Sequence, residues 1–380
     1  MASAPSSAAG AAGLEDVVAA TSSICFLDGK QGRLLYRGYD IHDLVEHASF
    51  EEVLYLLWHE DLPNRSQLNE LEASLTNDRE IPEPVLQLLQ SLPKTATPME
   101  ILRTTTSALS AYDPDGFRDN SIPANVRKAA RLTAQIPTMT AYIKRVRAGE
   151  PLVHPRKTGS IAENLLYMMF GKEPEALNAK TMNVALILHA DHELNASTFA
   201  ARVTAATLSD MYSSVVSGIG ALAGPLHGGA NEDVMKMLLR IGDEAKVQSE
   251  VKGIFERKEK ISGFGHRVYR TEDPRATHLR QLSEELGKRA GELKWFNMSK
   301  EIEQLVTQDK HLYCNVDFYS ASTYYTMGIP VDLYTPIFAC SRISGWTAHV
   351  LEQLGNNRLI RPRAEYTGEV DRTYKPIDKR

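Results

Sequence analysis

Apolar residues recur at intervals of three and four positions along most of this 380-residue chain. One such run begins with Ile41, Leu44, Val45 and Ala48 and continues through positions 53–58. Comparable runs cover positions 126–146, 161–170, 184–188, 203–216, 234–241, 279–293 and 337–354. A period near 3.6 residues places apolar side chains on one face of an α-helix, so the pattern predicts a mostly helical chain.

Only one segment has the pattern of β-strands. Positions 24–27 and 33–36 are short apolar runs separated by Asp-Gly-Lys-Gln-Gly at 28–32, which predicts a β-hairpin. Strands and helices do not alternate along the chain, which argues against a parallel sheet, and the sequence has no repeat that indicates a solenoid. We therefore predict an all-α globular fold with a short N-terminal β-hairpin.

The composition excludes several classes of function. A net charge of −5 and a pI near 6.2 give no basic field that would attract nucleic acid or a membrane surface. No apolar run reaches the roughly 18 residues that a membrane-spanning helix needs. Three scattered cysteines suit a reduced, cytoplasmic protein. Positions 1–13 lack basic residues, and we expect a disordered tail there rather than a targeting peptide.

Unusual polar residues are concentrated after position 185, in six short motifs. They are His-Ala-Asp-His-Glu at 189–193, Gly-Pro-Leu-His-Gly-Gly-Ala-Asn at 224–231, Gly-Phe-Gly-His-Arg-Val-Tyr at 263–269, Asp-Pro-Arg at 273–275, Asn-Val-Asp-Phe-Tyr-Ser at 315–320 and Arg-Pro-Arg at 361–363. Two of the histidines lie in glycine-rich turns, where a ligand can approach the backbone closely.

These residue types suit one kind of chemistry. Asp317 lies among apolar and aromatic neighbours, which tend to raise a carboxyl pKa toward the range of a general base. Several arginines could hold carboxylates with forked geometry. A base, hydrogen-bonding imidazoles and an arginine clamp favour enolisation of a carbonyl compound beside a dianionic acid. The sequence contains neither a Gly-x-Ser-x-Gly elbow nor a GxxxxGK[ST] phosphate loop.

The six motifs, in this order, resemble those of the citrate synthase family, and the resemblance extends over nearly the whole chain. It implies a helical fold with a large domain at 14–228 and 327–380 and a small domain at 229–326. It also implies a homodimer whose cleft closes on oxaloacetate, with active sites shared between subunits. The resemblance implies no cofactor, because the acyl-CoA is a substrate, and no metal.

The resemblance also implies a role for each matching residue. Asp317 would remove a proton from the acyl thioester, His227 would stabilise its enolate oxygen, and His266 would polarise the ketone of oxaloacetate. The other oxaloacetate contacts implied are His192, Arg275, Arg342 and Arg361, the last from the partner subunit. The CoA contacts implied are Ile261, Gly263, Phe264, Gly265 and Arg270.

Several alternatives remain at this stage. Citrate synthases use acetyl-CoA and 2-methylcitrate synthases use propionyl-CoA, and the two share every catalytic residue named above; the bulky Phe318 and Tyr319 favour acetyl-CoA. His189, Asp191, His192 and Glu193 could instead ligate a metal in a hydrolase, although their spacing is not His-Glu-x-x-His. A non-catalytic interaction protein is a further alternative. We interpret His189 as structural.

Overall fold

The computed structural model describes residues 12–14, 17–116 and 119–380 of the chain. The disordered tail predicted at 1–13 lies outside the described residues except for its last two positions, which belong to a short 3-10 turn at Ala12–Leu14. Within the described part, sixteen α-helices and one small sheet form the fold, which confirms the predicted all-α class.

The predicted hairpin is present, with one more strand than expected. β1 (Cys25–Asp28) pairs antiparallel with β2 (Arg33–Tyr36), and β2 pairs with β3 (Tyr39–Asp40). The Asp28 carboxylate accepts backbone N–H groups of Lys30 and Gln31, each at 2.9 Å, and these bonds stabilise the turn between β1 and β2. β3 has two residues, too few for an alternating pattern to show in the sequence.

Ten helices follow the sheet in the first part of the chain. They are α1 (Ile41–His47), α2 (Phe50–His59), α3 (Arg65–Asn77), α4 (Glu83–Ser91), α5 (Pro98–Leu109), α6 (Ile122–Ala148), α7 (Ile161–Phe170), α8 (Ala176–His189), α9 (Ala196–Ala205) and α10 (Met211–Leu222). The apolar run from 41 to 58 is divided between α1 and α2 because Ser49 and Glu52 form a capping box that starts a new helix.

The helical run predicted at 203–216 is interrupted in the structure. α9 ends at Ala205, Leu208 adopts a left-handed conformation with φ 64°, and α10 begins after Asp210. The Asp210 carboxylate accepts the backbone N–H groups of Tyr212 and Ser213, as an N-cap does. The apolar spacing continues across this break because both helices bury a face in the same core, so periodicity alone does not reveal it.

Six helices complete the chain. They are α11 (Ala230–Ile241), α12 (Val247–Glu256), α13 (Pro274–Ala290), α14 (Lys294–Lys310), α15 (Val316–Thr326) and α16 (Tyr334–Gly355). α11 to α15 pack mainly on one another, whereas α16 is buried against α6, α8, α9 and α10. The domain boundaries at 228/229 and 326/327 stay a prediction, although this grouping of helices is compatible with them.

Two features of the surface bear on function. None of the described helices is both long and apolar enough to cross a membrane. Beyond α16, the segment 361–380 is exposed along its whole length and has no regular element except a 3-10 turn at Ile377–Lys379. A chain that leaves the core in this way buries little of its own surface within one subunit.

Candidate active site

Loops, helix ends and the middle of α16 bring six of the seven predicted catalytic and oxaloacetate-binding residues together. His192 follows α8, His227 lies between α10 and α11, and His266 lies between α12 and α13. Arg275 and Asp317 lie in the first turns of α13 and α15, and Arg342 lies within α16. The six interact electrostatically: His192 is influenced by His227, His266, Arg275 and Arg342, and Asp317 by both arginines.

Backbone hydrogen bonds determine the tautomer of His266. Its Nδ1 accepts the N–H groups of Val268 at 2.9 Å and Tyr269 at 3.1 Å. Because a backbone N–H can only donate, Nδ1 is the unprotonated nitrogen and Nε2 bears the proton. Burial and the charge of Arg275 lower the pKa of His266 to about 4. At neutral pH the ring is therefore a neutral donor through Nε2–H.

His227 is held in the opposite tautomer. Its Nε2 accepts the backbone N–H of Ser197 at 3.3 Å and lies 2.8 Å from the Ser197 hydroxyl. The proton of the neutral ring is therefore on Nδ1. The Trp346 indole N–H donates to the same hydroxyl at 3.1 Å, which fixes the position of Ser197. Burial and the charge of Arg342 lower the pKa of His227 to about 4, so this ring is also a neutral donor.

His192 packs beside His266 and Tyr269. Its ring centroid is 5.0 Å from that of His266, and its Nε2 is 3.3 Å from the Tyr269 hydroxyl. Burial, followed by the charge of Arg275, keeps the pKa of His192 well below its usual value. The histidines of the site are thus neutral, and its positive charge comes from the two buried guanidinium groups, which suits a ligand with two carboxylates.

Asp317 has the properties of a general base. Burial raises its pKa to about 6, although Arg275 and Arg342 act in the opposite direction. Its Oδ1 is buried and has no hydrogen-bond partner among the described residues. The Asn315 side chain accepts the backbone N–H of Asp317 at 3.0 Å and caps α15, which fixes the backbone of the aspartate. The carboxylate is therefore positioned but not neutralised.

Arg275 has a buried partner to which the sequence analysis assigned no role. Asp273 accepts Nε of Arg275 at 2.9 Å and Nη2 at 2.7 Å, and it also accepts the backbone N–H of Val316 at 3.2 Å. This carboxylate joins the start of α13 to the start of α15, directly before Asp317. The Asp-Pro-Arg motif does predict a helix cap at Asp273, but only the fold shows the contact to Val316.

Arg342 is held by the C-terminal end of α8. Its Nε donates to the His189 carbonyl oxygen at 2.7 Å, its guanidinium lies 4.7 Å from the Phe338 ring centroid, and its exposed fraction is 1 %. His189 itself uses Nδ1 to contact the Ala185 carbonyl oxygen at 2.8 Å, one turn earlier in α8. This contact agrees with a structural rather than a ligating role for His189.

Arg361 is the one residue of the seven predicted for catalysis and oxaloacetate binding that does not join this group within the described chain. Its side chain is exposed, in the segment that follows α16. It lines a surface cleft of about 860 Å³ together with Arg202, Glu352 and residues 19–23. The expected role for Arg361 was at the active site of the partner subunit, and that role stays a prediction.

Four of the five predicted CoA contacts lie in a segment that pairs with the approach to Asp317. The Gly265 N–H donates to the Tyr313 carbonyl oxygen and the Asn315 N–H donates to the Gly263 carbonyl oxygen, both at 2.9 Å. Phe264 forms a bridge with Cys314 between these bonds, and Ile261 is half-buried. Arg270 is exposed, and its backbone N–H donates to the Gly29 carbonyl oxygen at 2.8 Å.

The metal-site hypothesis has no support in the geometry. In the described ranges, the one group of three His, Cys, Asp or Glu side chains close enough to share an ion is Glu272, Glu303 and Cys314. Arg280 forms ion pairs with both glutamates there, so a cation already occupies this acidic position. Asp191 instead faces the His349 ring at 3.3 Å.

The N-terminal hairpin packs against the loop that orients His266. A Cβ atom on Gly29 would overlap the carbonyl oxygen of Val268 and lie 2.8 Å from its carbonyl carbon. The N–H of that same Val268 donates to His266 Nδ1. Gly29 therefore acts as a positioning residue, because only glycine permits this backbone contact.

We expect Gly29→Ala to lower turnover by at least about tenfold, because small displacements of a catalytic group are costly. Gly220→Ala is the matched control, since a Cβ there meets no atom within 4 Å. The measurement is the initial rate of turnover of both variants. Equal rates in the two variants would contradict a positioning role for Gly29.

Comparisons with known proteins place these motifs in one family. The model of the family described as "Citrate synthase, C-terminal domain" matches residues 13–363. "Citrate synthase 2" of Bacillus subtilis is 52% identical over 369 residues, covering 97% of this chain and 98% of that protein. A 2-methylcitrate synthase of Shewanella oneidensis is 43% identical over 370 residues, with 97% and 98% covered.

A solved structure of a citrate synthase also matches the fold over nearly its whole length. The citrate synthase of Thermoplasma acidophilum, in a ternary complex with carboxymethyl coenzyme A and oxaloacetate, superposes with a TM-score of 0.92. It is 34% identical in sequence, and the match covers 97% of this chain and 99% of that one. The likeness in fold therefore extends over nearly the whole length of both chains.

Proposed function

The chain belongs to the citrate synthase family, and from that premise we propose that it condenses acetyl-CoA with oxaloacetate and water to give citrate and CoA. One observation carries the proposal. A buried carboxylate oxygen of Asp317, without a hydrogen-bond partner in the part of the chain that the structure describes, lies in a site with two neutral histidines of opposite tautomer and two buried arginines. Such a site is suited to making a carbon nucleophile beside a dianionic electrophile.

In the first step, Asp317 removes a proton from the methyl carbon of the acetyl thioester. The electron pair of the C–H bond moves into the enolate, whose oxygen accepts the Nδ1–H of His227. A neutral imidazole is appropriate here because it donates a hydrogen bond while the charge develops, in a place where its orientation is already fixed by Ser197. The proton then resides on the Asp317 carboxyl group, whose pKa of about 6 is compatible with proton transfer near neutral pH.

In the second step, the enolate carbon attacks the ketone carbon of oxaloacetate. Nε2–H of His266 donates to the ketone oxygen and stabilises the negative charge that forms there. The oxygen stays on the newly bonded carbon and becomes its hydroxyl group on gaining a proton, which balances the proton that Asp317 removed from the methyl group. Arg275 and Arg342 bind the carboxylates, with His192 as a further hydrogen-bonding group. Water then cleaves the citryl thioester, and CoA departs as the thiol.

We also propose the finer features of this assembly. The 261–265 segment forms the bed for the CoA adenine, and the exposed Arg270 contacts a phosphate. The domain at 229–326 closes over the cleft and excludes water during condensation. The protein acts as a homodimer in which Arg361 of the partner subunit completes the oxaloacetate clamp, and its cytoplasmic location stays a prediction from composition.

2-Methylcitrate synthase activity, with propionyl-CoA, is the second candidate, because a 2-methylcitrate synthase shares 43% identity with the chain. The positions flanking Asp317 bear on this choice. Phe318 packs against Phe264 with ring centroids 4.6 Å apart, whereas the Tyr319 hydroxyl donates to Glu303 at 2.5 Å. Tyr319 thus faces the Arg280 ion network, and of the two aromatics only Phe318 supports crowding next to the CoA segment.

We expect kcat/KM for acetyl-CoA to exceed that for propionyl-CoA by about 10- to 200-fold, the range over which one methylene group is discriminated. Propionyl-CoA should still be turned over slowly. The measurement is CoA release from each thioester at saturating oxaloacetate, with Asp317→Asn as the background control. A higher value for propionyl-CoA would assign the second candidate, and no turnover of either thioester by folded protein would exclude both.

A further inference from the structure

Two histidines outside the active site meet between α1 and α13. His42 Nδ1 and His278 Nε2 are 2.7 Å apart, and their ring centroids are 4.9 Å apart at an interplanar angle of 45°. His42 is exposed and His278 is half-buried, so the pair is open to solvent on one side. None of the steps proposed above uses either residue.

Both histidines are held on helices with well-defined starts. The Asp40 carboxylate caps α1 by accepting the backbone N–H of His42 at 3.0 Å. α13 begins at the buried Asp273 cap. Glu46 lies one helical turn after His42, and its carboxylate is close enough to act electrostatically on the His278 ring. Two ring nitrogens thus converge, with a negative charge nearby.

We propose that His42 Nδ1 and His278 Nε2 form a binding site for a divalent transition metal ion such as zinc, with water completing the coordination. Zinc binds histidine nitrogens at about 2.0–2.1 Å in tetrahedral geometry, which separates two such nitrogens by about 3.3 Å. The observed 2.7 Å is a hydrogen bond between the two rings, so a zinc ion would replace the proton that they share and would move the nitrogens about 0.6 Å further apart. Imidazole is a preferred ligand of zinc, and each ring keeps its proton on the other nitrogen.

The site would connect two parts of the molecule. α1 lies in the predicted large domain and α13 in the predicted small domain, and the first turn of α13 contains Arg275. A metal ion bound by both helices therefore restrains the movement of α13, and we expect it to slow turnover reversibly. This consequence for activity rests on the proposed function and domain closure, whereas metal binding itself does not.

The first experiment measures zinc binding to the full-length, chelator-treated protein by calorimetry, without substrates. We expect one zinc ion per chain, and binding at least about tenfold weaker in both His42→Ala and His278→Ala, since even outer contacts of a metal site contribute that much. His42→Gln retains a polar group at the same place and should lose binding equally. His311→Asn is the control, because His311 is exposed elsewhere with φ 53°, which asparagine tolerates.

Unchanged affinity in the two alanine variants, or no binding by the wild-type chain, would overturn the proposal. The second experiment adds one equivalent of zinc to the condensation assay. Wild-type turnover should fall and return on addition of EDTA, whereas His42→Gln should keep its rate. A chain that binds zinc through these histidines but never releases CoA would refute the proposed function and leave the metal site intact.

Discussion

Asp317→Asn should lower turnover by about 10²- to 10⁴-fold, the usual contribution of a positioned general base. Asparagine has the shape of aspartate but cannot accept the proton of the thioester methyl group. Binding of oxaloacetate should persist, because His192, His266 and the buried arginines are unchanged. The measurements are kcat for CoA release and the Kd of oxaloacetate by calorimetry, with Asp309→Asn, an exposed carboxylate on α14, as the matched control.

The pH profile gives an independent test of the same residue. Because burial raises the pKa of Asp317 to about 6, the wild-type carboxyl group is ionised and active above that pH. Below it, the carboxyl group is protonated, and kcat/KM should fall about tenfold for each pH unit. The residual rate of Asp317→Asn should lack this step. A wild-type profile that is flat from pH 5 to 7 would contradict the assignment.

Asp317→Asn should lower turnover but raise the stability of the fold at neutral pH. A carboxyl pKa that is higher in the folded chain than in the unfolded chain means that ionised Asp317 destabilises the fold at neutral pH. Asp317→Asn should therefore melt at a higher temperature than wild type at pH 7.5. The difference should vanish below pH 4, where both folded and unfolded chains are protonated. A folded variant with near-normal turnover would show that Asp317 is not the base.

Mixing two inactive variants should restore activity if Arg361 completes the site of the partner subunit. Arg361→Leu protomers retain Asp317, and Asp317→Asn protomers retain Arg361. A mixed dimer then contains one intact site and one doubly defective site. Random exchange makes half of the dimers mixed, so activity should recover to about one quarter of the wild-type value. The position of Arg361 in the exposed segment after α16 motivates this experiment.

The mixing experiment gives a different result if Arg361 does not reach the partner subunit. If Arg361 acts within its own subunit, a mixed dimer has no intact site and stays inactive. Native mass spectrometry establishes that mixed dimers have formed before the rates are compared. Arg363→Leu, two residues away in the same exposed segment, is the control that should remain active without mixing. Absence of recovery in proven mixed dimers would remove Arg361 from the shared site.

Local patterns in the sequence were sufficient to predict most of the helices and the hairpin. The spacing of apolar residues predicted α7, α11 and α16 because a helix that buries one face must repeat its apolar positions every three or four residues. The same reasoning missed the break at Leu208, because the apolar pattern continues across the end of α9 at Ala205 and the start of α10 after its N-cap Asp210. The order of the motifs was sufficient to identify the family, which the family model over residues 13–363 confirms.

Only the tertiary structure decided the chemical state of the site. The tautomer of His227 depends on Ser197, thirty residues earlier in the chain. The pair formed by Asp273 and Arg275 reaches Val316, 43 residues beyond Asp273. The raised pKa of Asp317 comes from burial by helices distant in sequence. Electrostatic energies depend on the distances between groups and on their access to water, and these are set when remote segments pack together, not by the order of residues within a motif.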